Sequence, residues 1–128
     1  MIPTLGTSYT RRQIHNMLGG ELDTYLPQRD GRIVCGCFVP TYGANPQAPR
    51  EILVGDAPKV VEKARLLRRQ SEPLPVFLKR DTNVWQYIGT YRLKGASEAL
   101  SVLRRKEREA GREALVMVLY LEPVPTDG

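Results

Sequence analysis

Seven consecutive residues, Leu115-Val116-Met117-Val118-Leu119-Tyr120-Leu121, are apolar at every position except for the Tyr120 hydroxyl. Successive side chains of a strand point to opposite faces, so such a run predicts a strand covered on both sides. It is too short to cross a bilayer, which takes roughly 18 apolar residues. The chain must therefore supply layers for two faces of a sheet, and helices are the natural cover.

Three segments offer them. Thr10 and Gln13 have the spacing of a capping box, with Tyr9 and Ile14 placed as a hydrophobic staple. A helix is predicted over Arg11 to Leu18, stopped by Gly19 and Gly20. Asp56-Ala57-Pro58 opens a second, with Asp56 as cap and Val60, Val61, Ala64 and Leu67 as its buried stripe. A third spans 97–110, with Ala99, Leu100 and Leu103 inward and Gly111 as its stop.

Strands are predicted between them. Asp30-Gly31 makes a tight turn into a strand over 32–39, with Ile33, Cys35 and Cys37 on one face and Val34 and Phe38 on the other. Residues 40–49, rich in Pro, Gly and Asn, form a loop, and 51–54 a short strand. Strands at 76–79 and 84–94 are joined by a four-residue loop, 80–83. In the returning strand, alternation puts Trp85, Tyr87, Gly89, Tyr91 and Leu93 on one face. Helices are too few and too unevenly spaced for a doubly wound sheet. The prediction is an α+β fold: a curved mixed sheet or partial β-barrel flanked by about three helices. At 128 residues it is expected to be one domain, with a lead-in at 1–8, a core at 9–122 and a frayed tail at 123–128.

Lys and Arg number 19 against 14 Asp and Glu, a net charge of +5 that favours a polyanionic partner. The N-terminus has neither the basic start nor the apolar stretch of a secretion signal, so a cytoplasmic location is expected, without membrane contact. Cys35 and Cys37, the two cysteines, are better small buried hydrophobes than a disulfide or zinc pair.

No catalytic constellation is evident. His15, the lone histidine, has no acid near it in sequence. Asp81 beside Lys79 and Arg80 is a thin version of a nuclease metal site. No catalytic residue, metal ligand or cofactor is assigned, and a non-enzyme is expected. The basic helix faces, 59–69 and 104–108, are partly neutralised by Glu62, Glu98, Glu107 and Glu109 and read first as solvated surface.

One region combines several useful groups. Lys79, Arg80 and Asn83 occupy the turn leading into Trp85 and Tyr87. Cations attract phosphate, an amide reads a base edge, and rings stack an unstacked base. Arg29 and Arg32 join Lys79 and Arg80 as candidate phosphate contacts. Tyr42 and Asn45 join Asn83, Trp85 and Tyr87 around a candidate base pocket.

Val76-Phe77-Leu78-Lys79-Arg80, Asn83-Val84-Trp85-Gln86-Tyr87-Ile88-Gly89-Thr90-Tyr91, Tyr9-Thr10-Arg11-Arg12 and Gly31-Arg32-Ile33-Val34-Cys35-Gly36-Cys37-Phe38 together resemble bacterial domains placed beside HNH nucleases. These belong to the SRA-like and PUA-like group of readers. The resemblance implies a domain that binds DNA and recognises modified cytosine by base flipping, in a restriction or defence setting. Cleavage would then come from a separate nuclease domain or subunit. The alternatives are an RNA-binding PUA-like module, or a protein-interaction domain whose aromatic stripe is core.

Overall fold

The computed structural model describes residues 2–125; Met1 and the last part of the expected tail, 126–128, lie outside the described residues. The elements run β1 (Ser8–Tyr9), α1 (Arg11–Leu18), β2 (Gln28–Arg29), β3 (Arg32–Ile33), β4 (Gly36–Phe38), β5 (Glu51–Gly55), α2 (Pro58–Arg69), β6 (Leu74–Asp81), β7 (Val84–Ser97), α3 (Leu100–Ala110) and β8 (Leu115–Pro123). Six strands form one sheet in the order β4-β6-β7-β8-β5, with β1 added on β7. The sheet is mixed because β4 runs parallel to β6 while every other pairing in it is antiparallel. It does not close: β4 and β5 are edges that do not pair. The predicted α+β architecture, a mixed sheet with three helices, is the one observed.

As the run at 115–121 requires, both faces are covered. On one, Ala64 and Leu67 of α2 pack with Phe38, Ile52, Val76 and Met117. On the other, α1 inserts Ile14 among Cys37, Phe77 and Trp85, while α3 brings Leu103 and Ala110 onto Leu53 and Val118. The long β7 serves two neighbours in succession, pairing β6 up to Tyr91 and β8 from Tyr91 onward.

α1 forms between its predicted ends. Thr10 Oγ1 accepts from the Gln13 N–H at 3.1 Å, and Gln13 Oε1 accepts from the Thr10 N–H at 2.8 Å. Other local expectations are corrected. Asp56 is not the cap of α2; Ala57 holds that position without a side-chain bond, and Pro58 starts the helix. α3 begins only at Leu100, because β7 continues to Ser97, and Leu100 is 68% exposed rather than inward. The 80–83 loop tightens to Thr82-Asn83, since Asp81 pairs Val84, and Asn83 takes the positive φ of 51° that the turn demands.

Two irregularities redistribute side chains between faces. The predicted strand at 32–39 breaks after Ile33, so Ile33 joins the α2 face while Val34, Cys35 and Cys37 join the α1 face. In β7, Phe77 pairs Tyr87 but Val76 pairs Gly89, leaving Ile88 as the extra residue of a bulge. A one-residue slip inverts everything beyond it. Trp85 and Tyr87 therefore face α1, while Tyr91 and Leu93 pack into the α2-side core. The expected single aromatic stripe is two.

The open edge of β5 is closed by side chains. Asn45 Oδ1 accepts from the Leu53 N–H at 2.7 Å, and Arg112 Nη1 donates to the Leu53 carbonyl at 3.1 Å. An unpaired edge would otherwise leave these groups wanting in a place where Leu53 is buried. Asn45→Ala strands the buried Leu53 N–H and is expected to lower stability by about 1–3 kcal/mol, measured by urea unfolding.

Candidate nucleic-acid interface

Lys79 and Trp85 are direct partners across the β6–β7 ladder, and Trp85 also pairs Tyr9 of β1. Capping at Thr10 makes Arg11 the first residue of α1, and its N–H donates to Asn83 Oδ1 at 3.0 Å. The helix start is thereby tied to the β6–β7 turn. The Arg11 guanidinium donates from Nη2 to the Thr24 carbonyl at 2.8 Å and lies 5.1 Å from the Trp85 ring centroid. Lys79 Nζ lies 5.7 Å from the same ring. Two cations thus share one indole, each attracted by its π-electrons.

Beside them opens a concavity of about 400 Å³. Arg11, Lys79, Asn83 and Trp85 form one side; Asp23, Thr24 and Tyr25 form another; Cys37 and Val39 also contribute. A second concavity, of about 310 Å³, shares Tyr25, Cys37 and Val39 and extends to Asn45, Leu53 and Arg112. The two edge strands of the sheet, β4 and β5, supply Cys37 and Leu53, so this hollow lies where the sheet fails to close.

Tyr25 and Cys37 shape the shared wall electrostatically. The Tyr25 hydroxyl donates to the Val60 carbonyl at 2.5 Å. Burial pushes its ionisation above the ordinary phenol value, only partly opposed by the charge of Arg112. Cys35 and Cys37 are free, buried thiols whose ionisations are linked. Interaction with Cys37, with burial adding to it, holds the Cys35 thiol well above its usual range; the same interaction lowers Cys37. Among the described residues no group of three or more His, Cys, Asp or Glu could hold a metal ion. His15 has an ordinary structural partner: its Nδ1 lies 2.6 Å from the Gly20 carbonyl.

Of the residues singled out in the sequence, Lys79, Asn83 and Trp85 meet in the first concavity, and Asn45 lines the second. Asn45 is itself 8% exposed, with its Oδ1 committed to Leu53. Trp85 is only 7% exposed and presents little more than a margin to the hollow, so it is not an open stacking platform. Tyr87 packs on Phe77, with ring centroids 5.3 Å apart, and its hydroxyl sits 3.0 Å from Thr90 Oγ1. It lines neither concavity. Arg80 bonds Gln86 through Nε at 2.9 Å, away from Lys79. Tyr42 is 74% exposed, and its ring lies against Gly111, where any Cβ would collide with it. Arg29 and Arg32 face each other across the β2–β3 hairpin, both exposed and outside both hollows.

Arg11, Asp23, Thr24, Tyr25, Cys37 and Arg112 were not legible as site residues. The capping box could have drawn attention to Arg11, since it fixes where the helix begins. Residues 21–27 have no periodicity to read, and their place comes from tertiary bonds such as Cys37 N–H to the Tyr25 carbonyl at 2.9 Å.

Comparison with solved structures places this architecture among SRA-like folds. The chain superposes on a crystal structure of the SUVH5 SRA domain with hemi-methylated CG DNA at a TM-score of 0.62 and 11% identity, covering 100% of this chain and 94% of that one. A second match, at a TM-score of 0.55 and 18% identity, is the Type IV phosphorothioation-dependent restriction endonuclease ScoMcrA; it covers 98% of this chain and 29% of that one. The chain belongs to the family described as a domain of unknown function, DUF6697, whose model matches residues 8–110. Comparison with curated proteins found no match.

Tyr25 also yields a pH prediction. Its folded-state value lies above the ordinary 10.0, so its contribution is complete below about pH 10 and erodes as pH rises further, where only the unfolded chain ionises. Tyr25→Phe should cost about 0.5–1.5 kcal/mol at neutral pH and show a shallower stability loss above about pH 10, followed by thermal melting.

Proposed function

We propose that this domain is a DNA-binding reader that takes up a cytosine turned out of the duplex, with preference for a modified one, in a restriction or defence setting. The observation carrying this reading is the hollow between Arg11, Lys79 and Asp23 at the rim of Trp85. Its volume of about 400 Å³ falls in the range of small-molecule sites, roughly 300–1,000 Å³, and suits one nucleobase. Arg11 and Lys79 offer charge to the phosphates on either side of an extruded nucleotide. Asp23 is a carboxylate, the acceptor that matches a cytosine amino group, and Asn83 adds an amide. Tyr25 and Val39 give the apolar wall that a base needs. The fold match to a domain bound to hemi-methylated DNA supports the same assignment.

The reading assigns binding to this chain and leaves any strand cleavage to a nuclease domain or partner subunit. Of the earlier candidates, Lys79 and Asn83 keep direct roles and Trp85 becomes the support that orients two cations. Arg29 and Arg32 would serve as peripheral phosphate contacts from the β2–β3 hairpin. RNA as the partner is an outcome of the test below.

Duplexes carrying plain, methylated or hydroxymethylated cytosine at one site should differ in band-shift affinity, and single-stranded RNA of the same sequence should bind more weakly. Equal affinity for all three duplexes would reduce the domain to a nonspecific DNA binder, and preference for RNA would replace the reading. Lys79→Ala should weaken every duplex alike and lower the slope of log affinity against log salt by about one. Asp23→Ala should instead erode discrimination among bases, by about 1–3 kcal/mol, with that slope retained.

A further inference from the structure

Arg112 has no need to be an arginine if its only task is to fasten the edge of β5. Its Nη1 donates to the carbonyls of Ala44, at 3.2 Å, and Leu53, at 3.1 Å, which leaves Nε and Nη2 outside those bonds. The guanidinium is half-buried, and among the described residues no carboxylate forms an ion pair with it. Burial lowers its proton affinity, and the neighbouring Tyr25, held as the neutral phenol, brings no compensating charge. Neutral carbonyls compensate a desolvated cation only in part.

The surroundings suit an anion. Arg112 lines the second concavity, whose other residues include Asn45, Tyr25, Val39 and Val60 but neither Asp nor Glu. With Asn45 Oδ1 bound to Leu53, the other end of that amide, Nδ2, has no hydrogen-bond partner among the described residues. Gly43 and Ala44 bring backbone to the rim. Two donor groups and a fixed positive charge around about 310 Å³, without a competing acid, match an oxyanion.

We propose that Arg112 and Asn45 form an oxyanion subsite, distinct from the Arg11–Lys79 hollow and joined to it along Tyr25, Cys37 and Val39. The subsite stands on its own geometry; only the carrier of the oxyanion rests on the reader assignment. On that assignment the carrier is the bound nucleic acid, as a carboxylate on the accepted base or a phosphate of its strand. Both present the same chemistry to a guanidinium fork, and the shared wall puts both within the span of one ligand.

Thermal melting of the whole chain in inorganic phosphate or acetate, against chloride at equal ionic strength, tests the subsite without nucleic acid. Specific stabilisation that rises with anion concentration is expected in the native protein and should fall sharply in Arg112→Gln. Arg112→Lys keeps the charge but not the fork and should retain part of it. Absence of any anion-specific shift, or a shift unchanged in Arg112→Gln, overturns the proposal. Arg112→Gln can donate to a carbonyl in place of the guanidinium, and its melting in chloride alone reports the structural cost separately. Two duplexes then identify the carrier. If 5-carboxylcytosine binds about tenfold tighter than cytosine and Arg112→Gln removes the gain, the base carries the oxyanion. If a neutral methylphosphonate next to the target cytosine costs a similar factor only with Arg112 present, the strand carries it. Neither effect, beside a positive melting result, refutes the reader assignment's link while leaving the subsite intact.

Discussion

The candidate site depends on one shared contact, the Trp85 indole with both Arg11 and Lys79 over its ring. Three separate pieces of chain meet there. The β6–β7 ladder sets Lys79 opposite Trp85, and the Thr10 cap starts α1 at Arg11. The Asn83 turn residue bonds that start, and the Arg11 side chain reaches on to the Thr24 carbonyl. Each tie is modest alone, and cation–π contacts contribute only about 0.5–2 kcal/mol apiece. Together they fix the positions of two like charges whose repulsion would otherwise drive them apart. Such an arrangement sets two positive charges at the mouth of a hollow.

The incomplete sheet is the second constraint. Had β4 and β5 paired, the backbone groups of Leu53 would be satisfied by a strand, and no space would remain for a second hollow. Instead Asn45 and Arg112 supply the missing partners, at the cost of holding a guanidinium partly out of water. Gln70 does a comparable job across the fold, donating to the Ile33 carbonyl at 3.0 Å and accepting from its N–H at 2.8 Å. Side chains here complete backbone pairing where strands are short, and two of those plugs, Asn45 and Arg112, also face a cavity.

Much of the architecture was legible because local chemistry and tertiary demand agree. The capping box set α1, the doubly apolar run set β8, and Gly111 stopped α3 in the left-handed conformation at φ 66°. What misled was register. Nothing in Tyr87-Ile88-Gly89 announces that Ile88 bulges, although a glycine at φ 117° permits the distortion that follows it. That single extra residue moved Tyr91 to the opposite face and dissolved the expected aromatic stripe. Residues lining the two hollows followed the same division. Lys79, Asn83 and Trp85 lie close in sequence and were found together. Asp23, Tyr25 and Arg112 arrive from distant, aperiodic segments, and only folding brings them in.

Trp85 is the chain's single tryptophan, so its emission reports on this hollow alone. A titration of a methylated duplex followed by Trp85 fluorescence tests the central claim directly. A saturable change in emission is expected, with its midpoint at the band-shift affinity, because a ligand between Arg11 and Lys79 must alter the indole's surroundings. Duplex binding at full affinity with Trp85 emission unmoved would contradict that claim.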